Sequence, residues 1–200
     1  KTGQEATGSM GDDTPLSVLT ERYRGLHSFF KQNFSQVTNP PIDSLREQVV
    51  MSLKTRLGNL GNIVEEDEEQ CNLVLLESPV LLDHELQTLK EHLGQLTTEI
   101  DCTYDRNDET KSLNEIQRIC SEAEQAVRSG SQHLIISDKN VNKDRISLPM
   151  ILVTSAVHSY LIKNNLRTFT SLNVSSLECL DVHYFAVLIG VGATTVNAAL

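Results

Sequence analysis

Apolar residues recur three and four positions apart between Leu16 and Phe30, at Leu16, Leu19, Tyr23, Leu26, Phe29 and Phe30. That spacing predicts an amphipathic helix, with Asp12 or Asp13 ahead of Pro15 marking its start. The helix must stop before Asn39-Pro40-Pro41, because a residue preceding proline is pushed out of the helical region and proline donates no backbone hydrogen bond. A second helix is expected from Asp43 or Ser44, with Glu47 in its first turn and Leu45, Val49, Val50 and Leu53 as its apolar positions. The glycine and asparagine run RLGNLGNI reads as a turn, and the acidic run Glu65 to Glu69 as a solvated loop.

Beyond residue 70 the rhythm changes to short apolar runs alternating with longer helical patterns. CNLVLLES reads as a buried strand, HELQTLKEHL as a helix and TTEIDCTY as a strand. SLNEIQRICSEAEQAVRSG is a long amphipathic helix with Leu113, Ile116, Cys120, Ala123 and Val127 on one stripe and Gly130 past its end. HLIISD is a third strand. SLPMILVTSAVHSYLIKNN follows as a helix opened by a serine cap and an early proline. TFTSLNVSS is a fourth strand, and LDVHYFAVLIGVGA a last helix or helix-turn before TTVNAAL.

Strand and helix alternating through short turns predict parallel pairing, since a parallel neighbour needs a crossover. The expected fold is α/β, with repeated strand-helix units amounting to half a barrel or a small open sheet behind a helical arm. The division expected is 1–63 for the arm, two helices and proline loop and 64–200 for the α/β part, together one domain. Functional residues of such folds gather at the carboxyl ends of the strands, here Glu77, Ser78, Asp101, Thr103, Ser137, Asp138, Asn173 and Ser175.

Charge narrows the possible partners. A formal charge of −10 and a pI near 5.0, without any basic cluster, disfavour nucleic acid and anionic membrane surfaces. The apolar stretch Tyr184 to Leu200 is interrupted by glycines, threonines and Asn197, too polar for a spanning helix. A soluble, cytoplasmic protein is expected. The start at Lys1 without Met, and the loose opening KTGQEATGSMGDD, suggest a piece of a longer polypeptide. Cys71, Cys102, Cys120 and Cys179 are far apart and lack metal-ligand spacing, so buried free thiols in a reducing compartment are expected.

Catalytic motifs are missing: no G-x-S-x-G elbow and no phosphate-binding G-x-x-x-x-G-K-[ST] occurs. GVGA, Gly190 to Ala193, could cradle a phosphate, or simply let a helix end pack closely. His158 and His183 could act as bases or sit as bonded core histidines. Asp101 and Asp138 could form a carboxylate pair or cap the following helices. These residues complete no active site, and they leave open a structural domain, an autonomous small-anion-binding regulatory module, and a small hydrolase using His158 or His183.

Several longer segments carry a resemblance. GSMGDDTPL, YRGLHSFFKQNFSQVTNPPIDSLRE, VVMSLKTRLGNLGNI, LESPVL, AEQAVRSG, LRTFTSLNV and HYFAVLIGVGATTVNA are similar to the central domain of glutamate synthase large subunits, most like the bacterial NADPH-dependent form. The resemblance runs from about Gly8 to the last residue and is weakest from Leu82 to Lys143. It implies a parent enzyme that releases ammonia from glutamine in an amidotransferase domain and passes it through a tunnel to an FMN-binding domain. There the ammonia joins 2-oxoglutarate to make glutamate. An iron-sulfur cluster and NADPH, acting through a small FAD-containing subunit, belong to that parent, and no cofactor or catalytic residue is implied for these 200 residues. The motifs SMGD and QVTNPP place Met10, Gly11, Thr38 and Asn39 at the lining of the ammonia tunnel. The proline pair after Asn39 would stiffen that wall.

Overall fold

The computed structural model describes residues 16–22, 24–30, 46, 49–107 and 112–199. The chain forms two compact units, residues 1–53 and 54–200. In the first, the apolar periodicity from Leu16 to Phe30 resolves into two 3₁₀ turns, Ser17–Leu19 and Leu26–Phe30, in place of the one helix expected. Thr20 leaves the first turn extended, and the Ser17 hydroxyl donates to the Ser28 carbonyl and hydroxyl at 3.2 and 2.8 Å. A serine bonded across eleven residues in this way has exchanged the helix ladder for a folded-back loop. Of the second expected helix, positions 46, 49 and 50 are helical, and Val49, Val50 and Leu53 are exposed.

The second unit is built on a five-stranded parallel sheet. Its strands are β3 (Val80–Leu81), β4 (Thr97–Asp101), β6 (His133–Ser137), β8 (Ser171–Ser176) and β9 (Thr195–Ala198), in the spatial order β3-β9-β8-β6-β4. Two antiparallel ribbons accompany it: β1 (Thr55–Leu57) with β2 (Val74–Leu76), and β5 (Thr103–Asp105) with β7 (Arg145–Ser147). Four helices connect the sheet strands, α1 (Asp83–Leu93), α2 (Ser112–Arg128), α3 (Met150–Lys163) and α4 (Val182–Gly190). The α/β class expected from the sequence is the class observed.

Register assigns each residue to a face. Leu81, Asn197, Asn173, Ile135 and Glu99 lie on one side, and Val80, Val196, Val174, Ile136 and Ile100 on the other. On the first side α1 crosses the sheet: Leu86 and Leu89 pack with Leu57, Leu81 and Ile135, and Lys90 pairs with Glu99 at 2.6 Å. The second side is the apolar one, where Leu134, Ile136, Leu172 and Val196 are fully buried. Helices α2 to α4 cover it. The strands β4, β6, β8 and β9 run in one direction across the sheet, whereas β3 to β4 runs the other way, and right-handed crossovers then require opposite faces.

Several strands differ from the sequence expectation. CNLVLLES supplies β2, which pairs antiparallel with β1 outside the main sheet and leaves Leu75 58% exposed. The edge of the main sheet comes instead from the next residues, Val80–Leu81. TTEIDCTY breaks at Cys102 into β4 and β5, because Cys102 N–H still donates to the Ser137 carbonyl while Thr103 turns away to pair with Ser147. TTVNAAL, left unassigned, supplies β9. On α2 the expected stripe loses Leu113, which is 73% exposed, and gains Ile119, which is fully buried. Cys71 is exposed rather than buried; the other three cysteines are buried, and all four are free thiols.

Central packing sets the stability of this unit. Replacing Ile136, fully buried on the interior strand β6, with Ala is expected to cost about 2–5 kcal/mol, and with Val about 1 kcal/mol. Urea unfolding followed by circular dichroism checks both, and equal midpoints for the two variants would contradict the close packing described.

Candidate functional site

The four residues expected at a tunnel wall, Met10, Gly11, Thr38 and Asn39, lie outside the described residues, as do Pro40 and Pro41. The remaining candidates fall into three places on the second unit: the carboxyl edge of the sheet, a polar row across one face, and the turn after α4.

At the carboxyl edge Asp138 follows β6 and is 1% exposed. Its carboxylate accepts from the Leu177 N–H at 2.9 Å and the Ser176 hydroxyl at 3.0 Å. Burial pushes its pKa up, the two hydrogen bonds pull it back, and the Glu178 charge adds to the rise. Glu178 in turn accepts from the Met150 N–H at 2.9 Å and from the Tyr184 hydroxyl. It therefore caps α3, the role expected of Ser147; Ser147 instead ends β7, and Pro149 precedes the helix without a side-chain cap. Burial and the Glu178 carboxylate both hold the Tyr184 phenol above its ordinary pKa. Asp181 caps α4 by accepting from the Tyr184 N–H at 2.7 Å.

Asp101 belongs to a separate cluster. It accepts from the Thr103 N–H and hydroxyl at 2.8 and 2.7 Å, from Asn140 at 2.9 Å and from Arg145 at 3.1 Å. Burial opposes its ionisation, but the bonds from Asn140 and Thr103 and the Arg145 charge together lower its pKa. Asp101 and Asp138 share no hydrogen-bond partner among the described residues, and each is held in its own cluster. They fasten loops: Asp138 the β8 exit, Asp101 the β5–β7 ribbon. Glu77 and Ser78 lie between β2 and β3, at the amino end of β3 and not at the carboxyl edge of the sheet. Cys102 and Cys179 sit beside these acids, and burial pushes both thiols up to about 12, leaving them protonated and unreactive.

The polar row lies beneath α1. The His133 ring shares a hydrogen bond with the Ser171 hydroxyl at 2.7 Å, and Asn173 donates to the Leu134 carbonyl at 3.0 Å. The Thr195 hydroxyl donates to Asn173 at 2.7 Å, and the Ser175 hydroxyl to Asn197 at 2.8 Å. Asn197 then donates to the Leu81 carbonyl at 3.0 Å and to Asp83 at 2.9 Å. Burial pushes the pKa of His133 down to about 4, so it is neutral at physiological pH. Asn173 and Ser175, expected at a strand's carboxyl end, belong instead to this row along β8, and the signal for the row is in the sequence: SLNVSS and TTVNAA alternate polar with apolar, which in a strand means one polar face.

The GVGA turn follows the carboxyl end of α4, where the helix dipole is negative and backbone carbonyls rather than amides are exposed. Its carbonyl at Gly192 accepts from the Arg167 guanidinium at 2.9 Å. Gly192 has φ +120, and a Cβ placed there would come within 2.3 Å of the His158 ring. That packing is the reason for the glycine, and it leaves no phosphate cradle. His158 itself accepts from Arg167 at 3.0 Å; burial and the adjacent guanidinium both lower its pKa. His183 lies in the first turn of α4, beside the Asp181 cap. The geometry thus joins His158 to the GVGA turn through Arg167, a residue the sequence reading had not singled out.

Among the described residues no group of three or more His, Cys, Asp or Glu could hold a metal ion, and no helix is long and apolar enough to cross a membrane.

Two substitutions test these assignments. Gly192→Ala should destabilise the fold by about 2 kcal/mol or more, since it combines a left-handed backbone with a clash against His158. His158→Ala in the same chain should recover part of that loss, measured as urea midpoints. For Asp138 the raised native pKa means that the folded state holds the proton more tightly than the unfolded one. Its contribution is therefore fully present below the ordinary aspartate value of 3.8 and lost as pH rises through the higher folded value. Asp138→Asn, which keeps an acceptor for Leu177, should gain stability relative to the parent chain between pH 4 and pH 7, and a flat difference across that range would contradict the assignment.

Comparison with known proteins places these features in a family. The profile described as glutamate synthase central domain matches residues 1–200. The chain is 59% identical over 199 residues to the NADPH glutamate synthase large chain of Azospirillum brasilense, covering 99% of this chain and 13% of that protein. It is 41% identical over 198 residues to the chloroplastic ferredoxin-dependent glutamate synthase of Spinacia oleracea, covering 97% of this chain and 12% of that protein. Identity to the NADPH glutamate synthase large chain of Bacillus subtilis is 40% over 202 residues, covering 100% of this chain and 13% of that one. This chain spans about an eighth of the length of each of these relatives, and by the match along its whole length it belongs to the glutamate synthase central domain family.

Proposed function

We propose that this chain is the central domain of a glutamate synthase large chain, standing between a glutamine amidotransferase domain and an FMN-binding synthase domain. The parent enzyme converts glutamine and 2-oxoglutarate into two glutamates with electrons from NADPH. The observation that carries this reading is the 59% identity to an NADPH glutamate synthase large chain across 99% of the sequence. The amidotransferase and synthase domains of the same polypeptide are its partners, with a small FAD-containing subunit delivering electrons, in the cytoplasm.

The residues of this domain do not fit an iron-sulfur cluster: three of the four cysteines are buried, Cys71 is exposed, and none shares a metal-binding group with another. Asp101, Asp138, Glu178 and Asp181 are committed to caps and loop anchors, the work of a spacer. The reading assigns the FMN, the cluster and the NADPH path to other segments of the parent. In the reduced-barrel reading of the fold, β4, β6, β8 and β9 are the retained wall and α1 lies across its inner face.

Within that role Met10, Gly11, Thr38 and Asn39 line the ammonia passage. Ammonia is small and uncharged, and it must be kept from bulk water, where it would be protonated and lost. A wall for it needs backbone carbonyls and amides held at fixed positions, and Pro40-Pro41 fix φ directly after Asn39 while removing two donors. The division into 1–63 as tunnel-associated arm and 64–200 as spacer follows from the same role.

Asn39→Trp in the full-length parent enzyme tests the passage. Glutamine hydrolysis should be largely retained while glutamate formation falls, so that more glutamine is consumed per glutamate made. An unchanged ratio of the two rates would remove the tunnel assignment without touching membership of the family.

A further inference from the structure

A cavity of about 500 Å³ on the amino-end side of the sheet is lined by Asn62, Ile63, Ile162, Asn165, Arg167, Thr168 and Phe169. Arg167 is the only one of these that carries a charge, and its environment is unusual for a partly buried cation. Nε donates to His158 at 3.0 Å, one terminal nitrogen to the Thr170 carbonyl at 2.7 Å, and the other to the Gly192 carbonyl at 2.9 Å and the Thr194 hydroxyl at 3.2 Å. All four acceptors are neutral, and no carboxylate pairs with Arg167 among the described residues. Half-buried cations are ordinarily matched by an anion. His158 cannot take that part, because it is neutral when it accepts the Arg167 proton.

A guanidinium has five N–H groups, and four are used by these bonds, leaving one on the nitrogen that serves Thr170. Around the same cavity the side-chain amide of Asn165, the Thr168 hydroxyl and the amide nitrogen of Asn62 make no hydrogen bond within the described residues. Asn165 is held there by a left-handed backbone, φ 58, directly after α3. The cavity thus brings together one uncompensated positive charge and several unused donors, with Ile63, Ile162 and Phe169 as apolar walls.

We propose that this cavity is a binding site for a small oxyanion, a carboxylate or a phosphate, held by Arg167 with Asn62, Asn165 and Thr168. The site shares no residue with those assigned to the ammonia passage and requires no catalytic step. The bound anion neutralises Arg167 and ties the loop carrying Asn62 to the end of α3.

The test uses the full-length parent enzyme and equilibrium dialysis against radiolabelled inorganic phosphate, and separately against radiolabelled succinate, at fixed ionic strength. Asn62→Leu combined with Asn165→Leu removes donors from the cavity while leaving every hydrogen bond of Arg167 in place, and circular dichroism checks that the variant is folded. The parent enzyme is expected to bind one equivalent more of one probe than the variant does, or to bind it at least ~10-fold more tightly, a 1.4 kcal/mol difference. The probe that shows the difference distinguishes phosphate from carboxylate. Arg167→Lys should retain weakened binding, because it keeps the charge and loses the fork. Equal binding of both probes by parent and variant would overturn the site and leave Arg167 as a structural clasp, whereas the family reading would stand unchanged.

Discussion

Asn197 joins four pieces of the second unit through one side chain. Its amide nitrogen donates to the Leu81 carbonyl and to Asp83, and its oxygen accepts from Ser175, so β9 is tied to β8 on one side and to β3 and α1 on the other. The constraint behind this is the shortness of β3. Two residues cannot hold an edge by ladder bonds alone, since most strands are about five or six residues long. Side-chain hydrogen bonds reinforce the ladder, and they are effective because the site is buried: Asn197 is 1% exposed, so an unmatched amide there would cost about 1–3 kcal/mol. With β3 fixed, α1 begins at Asp83 over the polar face and crosses it to reach Lys90 and Glu99. The two faces of the sheet then differ in kind, one apolar under three helices and the other a bonded polar row under one.

How much of this could be read in the sequence depends on length and alternation. Helices α1 to α4 were legible because each carries more than two turns of pattern, and β6 and β8 because HLIIS and SLNVSS keep their character over five and six residues. The sites of failure have physical reasons. Val80–Leu81 and Thr55–Leu57 are too short to show any period, and each is a strand only because of its partner. The run from Leu16 to Phe30 has a spacing of three and four that also suits 3₁₀ turns, and the deciding bond, Ser17 to Ser28, is a contact no local pattern shows.

The candidate site was legible in a different way. Asp101 and Asp138 were correctly expected near strand ends, and their roles as anchors follow from partners that sequence cannot supply: Arg145 and Asn140 for one, the Leu177 amide for the other. Arg167 went unnoticed because a single arginine in LRTF carries no motif. Its importance comes from the convergence of α3, the start of β8 and the turn after α4 upon one guanidinium. The residues assigned to the ammonia passage rest on resemblance of long motifs, a kind of information that hydrophobic pattern does not contain.

Among the described residues, the outer strand β4 has no further neighbour on its flank of the sheet. Open flanks invite another extended segment to add itself, and the usual safeguard is a charge pointed inward where an incoming chain would need to dehydrate it. Glu99 occupies that position in mid-strand, clasped by Lys90 from α1. The helix that closes the polar face therefore also guards the margin, making unwanted stacking between molecules costly even when the domain is handled apart from its neighbours.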